Sequence, residues 1–446
     1  MKLARLNPFG GLENPRVVWA WGMYDLANQS FTLIINTMLF AVFFKEVVVN
    51  DDATDDTLWA ATVAASMLLV VIVSPLAGAL GDVTGRKKTM LLSTGFVCAL
   101  LTCALGLIPA GGLLLAVLLY IPANFCFALG ENFLASYLPV IAKPGDAGRV
   151  SGIGWTMGYA GALILLLLSA GAMVLFGLEQ PADQRPLLVF AGVWFFVMAL
   201  PTALFVPGEP KPVRDRSKTV LREAGERVFG TLRDIAPRRD LALFFIAFLI
   251  YGVGVQTVIF FAGVIASDFG ITGAGLALFL LQLTVTAGIG AIVPMIWQDR
   301  IGHKRTVLGF LAVWIVAGLA LAWLAGPGSG ATWGIWVVGN LLGFGLGGIG
   351  TSGRALVGYL TPAHRAAESF GFWGLVYKLA GVCVIGFGLV KDLLGTSTAL
   401  LGLSACFVVG ALLLLRVDVD RGARQARADE LAHADEIEPD DLAALH

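Results

Sequence analysis

Apolar residues run through this chain in long blocks separated by short polar turns. A helix rises 1.5 Å per residue, so about 20 apolar residues cross a hydrocarbon core of about 30 Å. Twelve blocks meet that length, at 17–45, 57–80, 89–108, 112–142, 150–176, 187–206, 241–266, 273–297, 305–325, 332–358, 370–391 and 396–416. The pattern predicts twelve transmembrane helices. The longest polar interruption, 207–240, carries Leu221, Val228, Leu232 and Ile235 at near-helical spacing, which predicts an amphipathic helix on the membrane surface. The tail after 417 is charged, ends acidic, and is expected to be partly disordered. Residues 1–16 are polar and the first block is too long for a signal core, so no cleavable signal peptide is expected.

Composition sharpens this to a polytopic membrane protein. Hydrophobic residues make up 57% of the 446 and charged ones 14%, against about a quarter charged in soluble domains. The net charge of −1 is segregated. Of the 30 Lys and Arg, all but Lys45, Arg185, Lys391 and the intrahelical Lys378 fall on the side that holds both termini. The positive-inside rule makes that side cytoplasmic. The first loop on the other side is acidic (Asp51, Asp52, Asp55, Asp56). Tryptophans flank the blocks, with Trp19, Trp155, Trp297 and Trp373 near inner ends and Trp59, Trp323 and Trp333 near outer ends. The five cysteines (98, 103, 126, 383, 406) lie within apolar blocks and read as core residues. The four histidines (303, 364, 433, 446) lie in loops or tail, and no nucleophile–base or metal-ligand spacing occurs. An enzyme, a cofactor, a metal and a nucleic-acid partner are therefore not expected. A bilayer-embedded monomer handling a small solute is.

The chain repeats itself. Gly81-Asp82-Val83-Thr84-Gly85-Arg86-Lys87-Lys88 joins blocks 2 and 3, and a weaker copy with Asp299, Gly302 and Lys304 in register joins blocks 8 and 9. Glycine permits a tight turn and the cations hold it at anionic headgroups. Tyr24 and Gln29 in helix 1 have counterparts in Tyr251 and Gln256 in helix 7, and Asn124 in helix 4 matches Asn340 in helix 10. The expected domains are a six-helix half (1–206), a linker (207–240), a second half (241–416) and a tail (417–446). Asp82 and Arg86, with Gly81, Gly85, Lys87 and the copy's Asp299, Gly302 and Lys304, are expected to act as a gating latch.

Three ionisable groups fall deep inside the blocks: Asp25, Glu131 and Lys378. Each costs at least about 2.5 kcal/mol at mid-bilayer, so a protein-facing, functional position is the default. All three lie about 14–18 Å from the inner charged boundary, which suggests one site. A buried salt bridge pinning helices would also account for them. An acid whose cation moves away takes up a proton more readily, a route to proton coupling. Two acids and one base also match a zwitterion, with Lys378 taking a carboxylate and an acid taking an ammonium. Tyr24, Asn28 and Gln29 in helix 1, Asn124 in helix 4, and Tyr251 and Gln256 in helix 7 are candidate cavity residues beside them. Gly154, Gly158 and Gly161 in helix 5, and Gly339, Gly343, Gly347 and Gly350 in helix 10, predict close helix packing. Pro75, Pro122, Pro201 and Pro294 are candidate kinks.

The turn GDVTGRKK resembles the loop between helices 2 and 3 of the major facilitator superfamily. Trp21-Gly22-Met23-Tyr24-Asp25-Leu26-Ala27-Asn28-Gln29-Ser30 resembles the Y-D-x-A-N signature of its vacuole effluxer-like members. Glu131-Asn132-Phe133, Gly148 to Trp155, and Ala367 to Phe372 with Lys378 extend the resemblance through both halves. It implies an all-α membrane protein, twelve helices in two pseudo-symmetric bundles with both termini cytoplasmic, working by alternating access. It also implies an amino-acid class of substrate, although Leu26 stands where the family often has an aromatic residue. The superfamily's antiporter motif is absent, since Tyr159 follows Gly158. A bacterial inner membrane is the expected location. The rival readings are efflux of lipophilic compounds and a non-transporting sensor.

Overall fold

Each apolar block must satisfy its own backbone hydrogen bonds in lipid, and a helix does so within one segment. The computed structural model, which describes residues 9–142, 146–208, 237–326, 332–362 and 365–436, has twelve helices long and apolar enough to cross a membrane. They are α1 (Pro15–Val49), α2 (Asp55–Gly78), α3 (Lys87–Leu105), α4 (Leu113–Ser136), α5 (Arg149–Phe176) and α6 (Pro181–Phe205). After the linker follow α7 (Arg239–Asp268), α8 (Gly273–Ile301), α9 (His303–Leu324), α10 (Trp333–Leu360), α11 (Glu368–Leu394) and α12 (Thr396–Leu415). The surface helix expected in 207–240 falls on residues outside those described. Exposed Leu175, Met295 and Leu204 belong to an apolar outer belt suited to lipid.

The glycines explain the tightest contacts. In α5, Gly154 abuts Trp21 and the Asp25 carboxylate, Gly158 faces Gln29, and Gly161 lies on Leu26. In α10, Gly339 meets Phe279, while Gly343 and Gly347 press on the backbone carbonyls of Leu283 and Ala287 in α8. Gly350 faces open space.

Two helices depart from regular α geometry. α1 becomes a π-helix over Ser30–Met38 and again over Phe44–Val49, and the Thr37 hydroxyl donates to the Thr32 carbonyl five residues back at 2.8 Å. The helix Ala366–Val382, which opens α11, ends one turn beyond Lys378, and α11 resumes as Ile385–Leu394.

Of the tail expected to be partly disordered, residues 437–446 lie outside those described, and the part before them is ordered. Val419–Glu436 forms a helix, α13. Arg421 forks onto the buried Asp240 at the start of α7, with its Nε at 2.6 Å and Nη2 at 2.8 Å from the two oxygens. Arg238 pairs with Asp429 at 2.9 Å. Gly422, Ala423 and Ala426 form the buried face, and Gly422 packs on Leu360. Charge content argued for disorder; small residues at helical spacing and one buried acid outweigh it. Arg421→Ala is expected to undock this helix and bring proteolytic cleavage within 419–436 under native conditions that spare the wild type. An unchanged digestion pattern would count against the docking.

The two six-helix bundles touch along α2–α11, α5–α8 and the far half of α1–α7. At the face opposite the termini they are tied shut. Lys391 of α11 lies 2.6 Å from Asp56 of α2 and 2.8 Å from Asp268 of α7. Lys45 of α1 lies 2.7 Å from Asp56 and 3.5 Å from Asp55. The Thr57 amide donates to Asp392 at 2.7 Å, and the Trp59 indole donates to the Phe260 carbonyl at 2.9 Å. Gly263 packs on the Thr37 carbonyl and Gly388 on the Asp56 carbonyl. Asp55, Asp56 and Asp392 bring carboxylate oxygens within 4.8 Å of one another. Two lysines among them make this a buried ion-pair seal.

Candidate functional site

Below the seal, the waist of the molecule gathers the deep charges. Asp25 comes from α1, Glu131 and Asn132 from α4, and Lys378 from α11. Asp25 and Glu131 lie within electrostatic reach of each other, as do Glu131 and Lys378. No direct ion pair joins Lys378 to either acid. Its ammonium donates to the Asn132 side-chain oxygen and, at 3.5 Å, to the Ala128 carbonyl. Asn132 in turn donates to Ser74 of α2 at 3.0 Å. A chain of polar contacts thus runs α2–α4–α11 and crosses between the halves.

Glu131 is exposed although protein surrounds it. It therefore faces an internal opening between the halves. Asp25 and Lys378, each within electrostatic reach of Glu131, are half-buried. Ties between the halves are concentrated at the far face among the described residues. The far face is thus closed, and Glu131 marks accessible space below it.

The uncharged candidates divide. Asn28 is buried three residues after Asp25, with neither amide atom bonded; such a group normally finds a partner. Gln29 lies against Gly158. Gln256 donates to the Tyr377 carbonyl at 3.1 Å, one residue from Lys378. The other three lie in the packing instead. Tyr24 wedges against Gly95 and Gly130 and donates to the Leu91 carbonyl at 3.2 Å. Asn124 accepts from Asn36 at 3.1 Å and donates to Ser66 at 2.7 Å, while Tyr120 donates to Asn36 at 2.9 Å. Tyr251 is buried on Gly410. A polar residue in an apolar block is as often a helix-to-helix tie as a cavity contact, and spacing alone does not tell which.

At the charged turns, the helix of α2 runs on to Thr84, where Gly85 closes it with φ 59° and its amide donates to the Gly81 carbonyl at 3.0 Å. Arg86 is exposed, and Lys87 packs over Gly81. The side chain of Asp82, expected to latch with Arg86, lies outside what the structure describes. The second copy does different work. Gly302 has φ 97°, Asp299 lies near His303, and Lys304 donates at 2.7 Å to the Leu415 and Val417 carbonyls. It thereby caps the end of α12 within its own half.

One group escaped the sequence reading. Arg354 sits six residues inside the end of α10, at the edge of its block, where it read as a loop cation. Its guanidinium lies between two indoles from opposite halves, 5.3 Å from the Trp155 ring of α5 and 5.4 Å from the Trp373 ring of α11. Trp373 continues a stack with Phe248 (5.2 Å) and Tyr377 (6.0 Å) that ends beside Lys378.

Similarity to known proteins agrees with this architecture. The chain is 25% identical over 410 residues to the "uncharacterized MFS-type transporter YxiO" of Bacillus subtilis, covering 89% of this chain and 93% of that protein. It is 25% identical over 333 residues to autophagy-related protein 22-1 of Aspergillus fumigatus, with 68% of this chain and 53% of that protein covered. The chain thus spans about half the length of that fungal relative. Among solved structures, a D-xylose–proton symporter superposes with a TM-score of 0.70 at 13% identity, over 91% of this chain and 98% of the other. The nucleoside transporter NupG superposes at 0.68 and 14% identity, over 90% and 98%. These structures share the major facilitator fold of twelve helices in two bundles. The profile of the family described as vacuole effluxer Atg22 like matches residues 49–427, and the chain belongs to that family of multi-pass membrane transporters.

Proposed function

We propose that the protein carries a small polar or zwitterionic solute, an amino acid or related compound, by proton-linked alternating access. The observation that carries this reading is that Glu131, exposed within the protein, lies within electrostatic reach of both Asp25 and Lys378. Two carboxylates within electrostatic reach of each other do not both ionise freely away from bulk water. Movement of Lys378 relative to Glu131 as the halves rock changes which form is favoured, and a proton is taken up or released. The same acids suit an ammonium, and the unbonded amide of Asn28 suits a polar solute or its water. The charge content of the opening weighs against efflux of lipophilic compounds. The lysine and arginine distribution supports a cytoplasmic position for both termini, and similarity to a Bacillus protein over most of both chains supports a bacterial inner membrane. The turn at Asp82 and Arg86 would then latch the cytoplasmic mouth in the opposite state.

The test is uptake of a labelled amino-acid panel into proteoliposomes, with and without an imposed pH gradient. Wild type is expected to accumulate one class of compound. Asp25→Asn and Glu131→Gln are expected to reduce gradient-driven accumulation at least about tenfold, one of them while still binding the solute. Lys378→Ala is expected to abolish the pH dependence. Uptake that ignores the gradient in wild type sinks the proton link. Transport of apolar dyes in place of polar solutes favours lipophilic efflux.

A further inference from the structure

Resting on the transport reading above, we propose that Arg354, held between Trp155 and Trp373, recognises a carboxylate on the transported solute. A guanidinium inside a membrane helix is costly and needs water or a counter-charge. Among the described residues, no carboxylate pairs with Arg354, although it lies about 9 Å inside the end of α10. Its side chain is exposed. Two indoles lie 5.3 and 5.4 Å from its guanidinium carbon, and among the described residues its N–H groups make no hydrogen bond. A guanidinium with free N–H groups binds a planar oxyanion through two parallel hydrogen bonds.

Lys378 is less suited to that task. Its ammonium is engaged with Asn132 and the Ala128 carbonyl and lies in the field of Glu131. The indoles also place Arg354 relative to the acids. Trp155 follows Gly154, which abuts the Asp25 carboxylate, and Trp373 leads through its aromatic stack to Tyr377 and Lys378. The opening therefore has a cation reader at Asp25 and Glu131 and an oxyanion reader nearer its mouth. The fitting class is a solute with a positive group and a carboxylate. Because Trp155 and Arg354 belong to opposite halves, a carboxylate bound there contacts a junction that separates when the halves rock.

The experiment measures binding to purified full-length protein in nanodiscs, by thermal stabilisation. The probes are the common L-amino acids, the matching amides and amines, and the matching carboxylic acids without the amine. The expected result is that the compounds that bind best carry a carboxylate, and that conversion to the amide weakens binding at least about tenfold. Arg354→Gln is expected to bind acid and amide alike, and Arg354→Lys to keep part of the preference. Trp155→Leu, which removes one stacking face and leaves the charge, is expected to reduce it and serves if Arg354→Gln does not fold. A merely structural Arg354 would alter stability without changing the acid-to-amide ratio. Equal binding of amide and acid by wild type, a preference that survives in Arg354→Gln, or no binding by any carboxylate compound overturns the proposal. Intact discrimination alongside unchanged proton coupling in Asp25→Asn and Glu131→Gln would remove the proton link and leave the Arg354 assignment standing. The reverse pattern would remove the assignment alone.

Discussion

Lys391→Ala is expected to open the far face. The Lys391 ammonium bridges Asp56 and Asp268 with about one-twentieth of its side chain exposed. Removing one partner of a buried pair costs about 3–5 kcal/mol, because the other charge is stranded away from water. Asp56 retains Lys45 at 2.7 Å, which puts the cost at the lower end, about 3 kcal/mol. That penalty exists only while the face is sealed, since opening rehydrates both carboxylates. The sealed state should therefore lose about two factors of ten in population relative to the open one. Spin labels at Ala53 and Leu394, on opposite halves of the far face, should report a longer distance. Lys391→Arg keeps the charge and should remain sealed. Asp56→Asn provides an independent break of the same cluster. An unchanged distance distribution in both Lys391→Ala and Asp56→Asn would show that helix packing, not the ion pairs, closes this face.

Gly347→Ala is the second large effect. A methyl group there would overlap the Ala287 backbone carbonyl of α8, and a backbone cannot swing aside as a side chain can. Overpacking typically costs about 1–3 kcal/mol, and more where no rotamer relieves it. The α8–α10 contact should separate, with a loss of about 3 kcal/mol and a clear fall in melting temperature of the purified protein. Gly350→Ala, one turn along, meets nothing within 4 Å and should change stability by less than about 0.5 kcal/mol. Similar losses for both would mean that helix propensity or lipid contact, rather than close approach, governs these positions.

Much of the architecture was legible because membrane helices are specified locally. Block 9, read as 305–325, is the helix His303–Leu324, and block 12, read as 396–416, is Thr396–Leu415. Lipid demands a continuous apolar run, and a run is visible without tertiary information. The glycines of α5 and α10 were legible for the same reason, since small residues at helical spacing share a face. The cost of burial made Asp25, Glu131 and Lys378 conspicuous, but their proximity depends on how α1, α4 and α11 face one another. Lys45 and Lys391 illustrate the limit. They read as stray loop cations, yet Lys391 pairs across 335 positions with Asp56. Tyr24, Asn124 and Tyr251 show the same limit from the other side, because a polar side chain does not announce whether its face is toward water or toward another helix. The π-helical stretch of α1 shifts residue facing beyond Ser30, so a 3.6-residue projection from Asp25 fails past that point.

The far-face seal also has a net sign. It holds Lys45 and Lys391 against Asp55, Asp56, Asp268 and Asp392, and a cleft of about 240 Å³ outside it is lined further by Glu46 and Asp52. While shut, the lysines cancel much of this charge at short range. If the halves part, the Lys391–Asp56 pair breaks while Lys45 stays with Asp55 and Asp56 and Lys391 with Asp268, and the excess of carboxylates over lysines leaves the entrance acidic. Field lines from such a mouth concentrate cations and protons and repel anions within about 8–10 Å at physiological salt. A solute of balanced charge crosses it at little cost, whereas a net anion meets a barrier before it reaches any binding residue. On the transport reading proposed above, the carboxylates that shut this face would also filter what enters when it opens.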